Sequence, residues 1–545
     1  MFPQFPSKHQ DRFTSNEGLL AKANAFTLVI KRISYQVCRR MEYLDEVASE
    51  FIARHPKDCS YLLFSPAQKI IGWILGLWAV LLLAYRWDLF IILFSFLSAG
   101  AYLAVALFKL FAAFRGMFAN LGKKPELERI PEADLPVYSI LVPLFKEANV
   151  LPQLVKHLGS LDYPHSKLDI LLLLEESDPE TLSAAENLNL PGFMRIIRIP
   201  EGSPQTKPRA CNYGLREAKG RFVVIYDAED RPEKDQLLRV LSAFNRAPID
   251  VICMQCRLAY FNARRNWLTA CFALEYATWF DYYLEGLQHM NVPLPLGGTS
   301  NHFKTEVLRE IGGWDPFNVT EDCDLGIRLH KRRYRTRTVP SVTWEEATSQ
   351  TGNWIRQRSR WVKGYFQTFF THMRHPLRTY KGLGFQGFLG FLLVVGGHSF
   401  LLVLNLVFWI LLALYLFWLG MDVAAGREIW EVIAGEKEAV RQAWKMIYWG
   451  PGEHKILAPL SIGFFAVSCV LLFSNFLFIL LGLMAAFSRK RWKLIPAALT
   501  MPVYWVLISI GAWKGFLQLF TRPHYWEKTR HGIDVFETTA QEPSS

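Results

Sequence analysis

The chain has little charge, few cysteines and no recognisable signal for secretion. Only 20% of its 545 residues are charged, whereas 51% are hydrophobic, and the mean hydropathy is positive. This balance argues against a disordered chain and favours one that is embedded in a membrane. Eight cysteines in so long a chain exclude a disulfide framework. The first sixty residues contain no signal-peptide pattern, and the chain has no internal repeat or low-complexity segment.

The spacing of the cysteines and the net charge argue against two further functions, zinc binding and nucleic-acid binding. Cys253 and Cys256 form a C-x-x-C pair in an apolar run, but no second pair and no histidine pair follows them. We therefore expect two buried strand thiols and not a zinc site. The net charge is +12. In a membrane protein such an excess marks cytoplasmic surfaces and contact with anionic lipid, so we expect no nucleic-acid partner.

Alternation of polar and apolar blocks divides the chain into five predicted parts. These are a cytoplasmic N-terminal extension (1–69), a transmembrane hairpin (70–114), a soluble domain with interface helices (122–375), a C-terminal transmembrane region (385–520) and a tail (521–545). The connector from Ser488 to Lys493 is strongly basic, which predicts a cytoplasmic position. The stretch 421–455 would then lie outside.

The soluble part has the pattern of an α/β domain. Residues 137–142, 168–174 and 222–226 are short apolar runs that predict strands, and residues 151–158 carry apolar side chains at helical spacing. Strands alternating with helices predict a mostly parallel sheet that is covered on both faces. Ligands of such sheets bind at the carboxyl ends of the strands.

Acidic residues follow all three of these predicted strands, and Glu147 comes shortly after the first. Glu175 and Glu176 come after the second, and Asp227, Glu229 and Asp230 come after the third. A carboxylate at one strand end alone is more often part of a solvated loop. Several that converge repel one another unless a cation lies among them. A hard divalent cation that bridges carboxylates and phosphates is the simplest explanation.

Two further features can contact an anionic ligand or a sugar. Lys207 is a candidate phosphate or base contact, although a lone lysine is more often a surface charge. Gln357, Arg360 and Trp361 stand at i, i+3 and i+4, so they share one face of a helix. A guanidinium fits a diphosphate and an indole offers a platform for a sugar ring. The alternative interpretation is an interfacial helix that is anchored by its tryptophan.

The order of Asp227-x-Glu229, Thr320-Glu321-Asp322 and Gln357-x-x-Arg360-Trp361 resembles the processive membrane glycosyltransferases of family 2. These include the cellulose, chitin, hyaluronan and curdlan synthases. The resemblance covers residues 70–530, and it is strongest to the curdlan-type and phage-adsorption subgroup. It implies a nucleotide-sugar-binding domain of the GT-A, Rossmann-like α/β fold, inserted between transmembrane helices.

The resemblance also implies roles for individual residues. Asp322 matches the general base, and Glu321 and Thr320 shape its loop. Asp227 matches the first ligand of Mg²⁺ or Mn²⁺, and either Glu229 or Asp230 completes the site. The remaining matches contact the donor or the acceptor: Glu175 or Glu176 at the uracil, Gln357, Arg360 and Trp361 at the diphosphate and acceptor, and Trp526 and Lys528 in a tail segment that meets the diphosphate.

The implied activity is an inverting hexosyltransferase, with glucose as the expected sugar and a UDP-sugar as donor. It extends a β-linked polysaccharide and secretes it across the bacterial inner membrane, with partners for export in the periplasm or outer membrane. The alternative is a non-processive enzyme that acts on a lipid-linked acceptor. A third hypothesis is a membrane receptor or assembly component whose catalytic site is idle. Because the tail must meet the diphosphate in the cytoplasm, we expect an even number of crossings between the catalytic domain and Trp526.

Overall fold

The computed structural model describes residues 44–120, 130–424, 473, 475–529 and 532. The predicted apolar block at 456–487 and the mixed-charge stretch 421–455 lie mostly outside these residues, as do residues 1–43. Eight strands form one sheet: β1 (Tyr138–Leu144), β2 (Leu168–Glu175), β3 (Met194–Ile199), β4 (Phe222–Ile225), β5 (Arg231–Pro232), β6 (Val251–Tyr260), β7 (Asn301–Lys304) and β8 (Arg335–Glu345).

Helices surround this sheet and extend from it. The described helices are α1 (Glu46–Arg54), α2 (Pro66–Tyr85), α3 (Trp87–Asn120), α4 (Leu151–Leu158), α5 (Pro179–Glu186), α6 (Lys207–Glu217), α7 (Gln236–Arg246), α8 (Trp267–Thr278), α9 (Leu284–His289), α10 (Thr305–Glu310), α11 (Glu321–Lys331), α12 (Thr351–His372), α13 (Pro376–Phe391), α14 (His398–Ala424), α15 (Asn475–Ser488), α16 (Ile495–Leu499) and α17 (Met501–Thr521). A π-helical turn over Trp279–Tyr283 joins α8 to α9, and a second over Leu392–Gly397 joins α13 to α14.

The sheet is mixed, with strand order β3-β2-β1-β4-β7-β6-β8-β5. Strands β3, β2, β1 and β4 run parallel, as predicted. Strands β6 and β8 run in the same direction as these four, so the prediction of a mostly parallel sheet is confirmed. The two exceptions are β7, which enters antiparallel between β4 and β6, and β5, which pairs antiparallel with β8. Strand β7 is not evident from the sequence because it contains polar residues. One of them, His302, is buried, and its Nδ1 lies 2.7 Å from the Tyr138 hydroxyl.

Both faces of the sheet are buried, which explains the continuous apolar runs of its central strands. Ile140 and Val142 of β1 pack on one face with the apolar sides of α4 and α7. Leu141 points to the other face and packs with α6, α10 and α11. This alternation follows the period of two in a strand. Cys253 and Cys256 are buried and free in β6, as predicted.

Residues 44–64 pack on the soluble domain, in a region that the sequence left without a role. Asp45 caps α1 by accepting from the Val47 N–H at 2.9 Å, and its second oxygen accepts from the Tyr213 hydroxyl at 2.7 Å. The Ser60 N–H donates to Asp315 at 2.6 Å, close to the loop that leads into α11. The buried residues Val47 and Phe51 fall on one face of α1. This segment therefore stabilises loops on one side of the domain.

Among the described residues, four helices are long and apolar enough to cross a membrane. They are Pro66–Tyr85, Phe96–Ala119, Pro376–Ile410 and Met501–Thr521. The first is exposed along its whole length, as expected for a helix that faces lipid. The second packs its last turns against the α8–α9 segment, where Gly116 lies against the Tyr282 carbonyl and Gly286 against Ala112. Small residues allow this close approach of backbones.

Helix α17 lies alongside α12, the helix that carries Gln357, Arg360 and Trp361. A Cβ atom at Gly511 would lie 2.9 Å from the Arg358 Cβ, and one at Gly515 would overlap the Ser359 carbonyl oxygen. Arg358 donates to Glu275 of α8 at 2.8 Å and to the Tyr504 hydroxyl of α17 at 2.8 Å. The glycines and this buried arginine fix α12 between the soluble domain and the apolar helices.

We expect Gly515→Ala to destabilise the protein by about 1–3 kcal/mol, because the added methyl group forces α17 away from α12. Thermal unfolding of the purified chain in detergent, followed by tryptophan fluorescence, measures the effect. Gly76→Ala is the matched control, since nothing lies within 4 Å of the added atom in that helix. An unchanged melting temperature for Gly515→Ala would contradict the close packing of these two helices.

Candidate active site

A cleft with a volume of about 230 Å³ opens at the carboxyl ends of the central strands, next to α12. Most of the predicted site residues line it, although they come from distant parts of the chain. Those that line the cleft are Lys207, Asp227, Glu229, Thr320, Glu321, Asp322, Gln357, Arg360, Trp361 and Trp526. The other four, Glu175, Glu176, Asp230 and Lys528, are not among the lining residues.

Asp227 and Asp322 face the same cleft across Gly298. The Lys207 ammonium donates to Asp227 Oδ1 at 2.5 Å and to the Gly298 carbonyl at 2.7 Å. A Cβ atom at Gly298 would lie 3.7 Å from Asp322 Oδ2 and 3.8 Å from Lys207 Nζ. The glycine therefore leaves open the space between the two carboxylates. Burial acts to lower the pKa of Lys207, but the Asp227 carboxylate outweighs it, so the pKa is raised and the side chain stays charged.

Asp230 is turned away from the cleft and shapes the turn after β4. Its Oδ2 accepts from the Asp227 N–H at 2.7 Å and from the Thr299 hydroxyl. The side chain is 1% exposed. Burial and the neighbouring charges of Asp227 and Glu229 raise its pKa well above the usual value. Of the two residues predicted as the second metal ligand, Glu229 is therefore the one that lines the cleft.

Glu321 and Asp322 open α11, where the free N–H groups of the first turn favour negative charge. Thr320 precedes them and packs against Gly364 of α12, at a distance that leaves no room for a side chain there. Burial raises the pKa of Asp322 to about 6. Burial and the charge of Asp322 raise the pKa of Glu321 to about 8. A carboxyl whose pKa lies near neutrality suits general acid–base catalysis.

If Asp322 removes a proton during the reaction, the kcat of the enzyme should depend on pH. The carboxylate form is the active one, so kcat should be constant well above pH 6 and fall as the pH drops through about 6. Below that value we expect a decrease of roughly tenfold per pH unit. Initial rates between pH 5 and 8, at saturating donor and metal, measure the profile. A kcat that is constant from pH 5 to 7 would contradict the role of Asp322.

The three residues predicted to share a helix face do so on α12. Trp361 stacks on Tyr276 of α8, with ring centroids 6.2 Å apart and an interplanar angle of 29°. Gln357 is buried and accepts from the Thr348 hydroxyl at 3.3 Å. Arg360 lies in the cleft, and its Nε is buried without a hydrogen-bond partner in the described part of the chain. An arginine donor that is held ready in this way fits an anionic ligand.

The tail returns to the cleft and covers Arg360. The Trp526 ring lies 4.5 Å from the Arg360 guanidinium carbon. Glu527 accepts from Lys514 at 2.7 Å, and the Lys363 ammonium donates to the Tyr525 carbonyl at 2.7 Å. Lys528 donates to Glu147 at 2.9 Å, at the end of β1. The tail therefore lies on the same side of the apolar helices as the soluble domain.

The predicted uracil contacts are placed differently. Glu175 is 5% exposed and pairs with Arg209, whose Nη1 lies 3.1 Å from Glu175 Oε2. Burial raises the pKa of Glu175. Glu176 is exposed, and its N–H donates to the Ile199 carbonyl at 3.0 Å. Glu175 thus has a buried cationic partner of its own, and the uracil contact of either residue stays a prediction.

Two acidic residues of the cleft escaped the sequence interpretation. Glu345 is the last residue of β8 and Glu346 follows it directly, and both line the cleft. Because Arg231 pairs with Trp344 across the strands, Glu345 lies next to Asp230. Burial and the charges of Asp230, Glu229 and Asp227 raise the pKa of Glu345. The signal that found the other carboxylates, an acidic residue directly after a strand, applies to this pair as well.

Two of the cleft residues carry oxygen donors of the kind that a divalent cation prefers. Carboxylate oxygens of Asp227 and Glu229 are hard donors of the kind that Mg²⁺ and Mn²⁺ prefer. Asp230 Oδ1 and Glu345 Oε1 are buried and have no hydrogen-bond partner among the described residues. Within the same residues, no group of three or more histidine, cysteine or acidic side chains is placed so that it could hold a metal ion. One cation already faces this cluster, because Lys207 donates to Asp227.

Comparison with known proteins agrees with the motifs. Residues 136–364 match the profile described as "Glycosyltransferase like family 2". The chain is 28% identical over 236 residues to the probable glycosyltransferase YdaM of Bacillus subtilis, covering 42% of this chain and 56% of that protein. It is 27% identical over 256 residues to the beta-monoglucosyldiacylglycerol synthase of Nostoc sp., covering 46% of this chain and 53% of that protein. The chain thus matches about half the length of each relative.

A solved structure also matches, the mannosyltransferase PcManGT from Pyrobaculum calidifontis in complex with GDP-Man and Mn²⁺. The identity is 19%, the match covers 70% of this chain and 97% of that one, and the TM-score is 0.43. The family profile begins just before β1 and ends within α12, so it spans the whole sheet and the cleft. Residues 136–364 therefore match a family 2 glycosyltransferase profile and have a GT-A-like α/β fold, which confirms the predicted fold class.

Proposed function

We propose that this chain is an inverting hexosyltransferase of the cytoplasmic face of a bacterial inner membrane, and that its donor is a UDP-sugar. The observation that carries the proposal is the shared cleft. Asp322, with a pKa raised to about 6, faces Asp227 and Lys207 across Gly298, and Arg360 lies in the same space. A base and several diphosphate-binding groups thus surround one volume. Glucose is the proposed sugar, from the resemblance to the curdlan-type group.

In the proposed reaction, an acceptor hydroxyl attacks the anomeric carbon of the donor from the side opposite the diphosphate. A bond forms between the acceptor oxygen and this carbon, and the bond from this carbon to the diphosphate oxygen breaks. The proton of the hydroxyl passes to Asp322, and the electron pair of the broken bond stays on UDP. An α-linked donor therefore gives a β-linked product.

The charge that develops on the leaving diphosphate requires cationic groups around it. Arg360 has donors free for this task, and Lys207 lies beside Asp227. The tail ring of Trp526 closes over Arg360 and limits its contact with water. Asp227 and Glu229 would hold Mg²⁺ or Mn²⁺, which when bound neutralises diphosphate charge.

The proposed acceptor reaches the cleft from the apolar helices. A second cavity shares Glu275, Trp279, His398, Leu402 and Ile508 with the cleft, so the two spaces adjoin. A growing β-linked polysaccharide is one candidate, supported by the Trp361–Tyr276 stack, and its secretion would need export partners. A lipid-linked acceptor is the second candidate, supported by the largely apolar wall of the second cavity.

A donor screen tests the proposal. Purified full-length chain in lipid is incubated with Mg²⁺ or Mn²⁺, a lipid extract and each common UDP-sugar in turn. We expect release of UDP with one preferred hexose, and size analysis of the product separates a polymer from a singly extended lipid. If neither UDP nor a product forms with any donor, the proposed function is wrong.

A further inference from the structure

The first turn of α11 carries two carboxylates that point in different directions. Asp322 lines the cleft, whereas Asp324 does not. Because an α-helix turns by about 100° per residue, side chains two positions apart lie on nearly opposite faces. Asp324 is fully buried, and the proposed reaction makes no use of it. A charge that is buried behind the catalytic base is costly unless other side chains pair with it.

Two side chains hold Asp324 from behind α11. Nε2 of His372, the last residue of α12, lies 2.9 Å from Asp324 Oδ1. Arg328 donates to Asp324 Oδ2 at 2.7 Å. Since a carboxylate only accepts, Nε2 of His372 carries the hydrogen of the first bond. Burial acts to raise the pKa of Asp324, but Arg328 and the bond from His372 outweigh it, so the pKa is lowered and the group stays a carboxylate.

The other ring nitrogen of His372 faces the segment 44–64. The ammonium of Lys331, the last residue of α11, lies 3.2 Å from Nδ1 and also donates to Asp58 at 2.5 Å. Asp58 Oδ1 lies 3.6 Å from the same ring nitrogen. The ring is buried between these groups. His372 therefore connects the first turn of α11, the end of α12 and the segment 44–64.

The orientation of Asp322 depends on the backbone of the turn that His372 holds. Asp322 Oδ1 accepts from the Cys323 N–H at 2.7 Å, and the Asp324 N–H donates to the Thr320 carbonyl at 3.3 Å. A shift of the Asp324 side chain therefore moves the peptide groups that place the base. A displacement of about 1 Å in a reacting group can lower a rate about 10²-fold.

We propose that His372 is a positioning residue for the catalytic base and that it acts through Asp324. Its bond to Asp324 fixes the first turn of α11, so that the Asp322 carboxylate keeps one position in the cleft. Asp58 and Lys331 fix the ring from its other side, which gives the segment 44–64 a part in catalysis. The effect on the rate rests on the proposed function, whereas the rigidity of the turn does not.

Two substitutions of His372 separate this role from packing. The amide nitrogen of glutamine reaches the position of Nε2 and can donate to Asp324, whereas that of asparagine reaches only the position of Nδ1. We expect His372→Asn to lower kcat for hexose transfer by about 10–100-fold, with the donor KM changed less than about twofold. His372→Gln should keep at least about half of kcat, because the bond to Asp324 remains. The matched control is His375→Asn, an exposed position three residues later, which should change neither constant.

Hydrogen exchange gives a second readout that needs no donor. The full-length chain and its variants are placed in nanodiscs, and exchange is followed by mass spectrometry. His372→Asn should speed exchange of the amides from Thr320 to Asp324 at least about tenfold, while exchange in β1 stays unchanged. His372→Gln should leave both regions as they are in the unsubstituted chain.

Four results would overturn the positioning role. These are equal exchange of the α11 amides in the two variants, an increase of the same size in β1, an equal loss of kcat in both variants, or a loss confined to the donor KM. If the unsubstituted chain transfers no hexose from any donor, the proposed function is wrong. The exchange of the α11 amides then decides the role of His372 by itself.

Discussion

Replacing Asp322 by asparagine is expected to lower kcat for hexose transfer by about 10²–10⁴-fold. The amide has nearly the same shape as the carboxylate but cannot accept the proton of the acceptor hydroxyl. Since Asp322 faces the cleft beside Gly298 and does not pair with a cation in the described part of the chain, the variant should fold. The donor KM should stay within about a factor of two, because the base acts on the acceptor. Release of UDP by the purified chain measures both constants.

The control for this variant is Glu306→Gln. Glu306 is an exposed carboxylate on α10, outside the residues that line the cleft. The Glu306→Gln substitution removes the same charge as Asp322→Asn and should leave kcat unchanged. An Asp322→Asn protein that melts at the normal temperature and keeps more than a tenth of the activity would contradict the assignment of the base. Unchanged function of this variant in the cell would favour the idle-site hypothesis.

Arg360→Ala should reduce kcat/KM for the donor by about 10²–10³-fold, the usual cost of losing a donor that stabilises developing negative charge. Burial lowers the pKa of Arg360, although the charges of Glu321, Asp227 and Asp322 act against this. Its Nε has no hydrogen-bond partner among the described residues, so this donor is open to a diphosphate. Arg360→Lys should recover only part of the activity, because an ammonium cannot bind two phosphate oxygens in the bidentate manner of arginine. Steady-state kinetics with varied donor measures both variants.

The matched control is Arg356→Ala, one turn earlier on the same helix. Arg356 contacts Asn353 at 3.4 Å and does not line the cleft. Its loss should change kcat/KM less than about twofold. If Arg356→Ala and Arg360→Ala reduced kcat/KM equally, the effect would come from α12 as a whole and not from a contact of Arg360 with the donor.

Much of the central sheet could be predicted from sequence because its strands are covered on both faces. The apolar runs of β1, β2 and β4 show this directly, and α4 shows a clear helical period. The convergence of Asp227, Asp322 and Arg360 also followed from motif order. Strand β7 could not be found in this way, because Asn301 and His302 are polar and are buried through contacts made across the sheet.

The environment of individual carboxylates could not be predicted from the sequence. Glu175 and Arg209 form a buried ion pair across 34 positions of the chain, and no local pattern announces it. Asp230 and Glu229 are neighbours, and the sequence alone does not distinguish which of them could bind a metal. The geometry of the turn after β4 places the Asp230 side chain inside the domain. The packing of residues 44–64 could have been suspected from Val47, Ala48 and Phe51, whose spacing gives α1 one apolar face.

The central claim is that one cleft holds the donor, its diphosphate contacts and the base, and transfers a hexose with inversion. The most direct test is the anomeric configuration of the product, determined by NMR after reaction with an α-linked UDP-hexose labelled with ¹³C at its anomeric carbon. The account predicts a β-linked hexose in the product and one UDP released for each hexose transferred. An α-linked product formed in equal amount to UDP would contradict it.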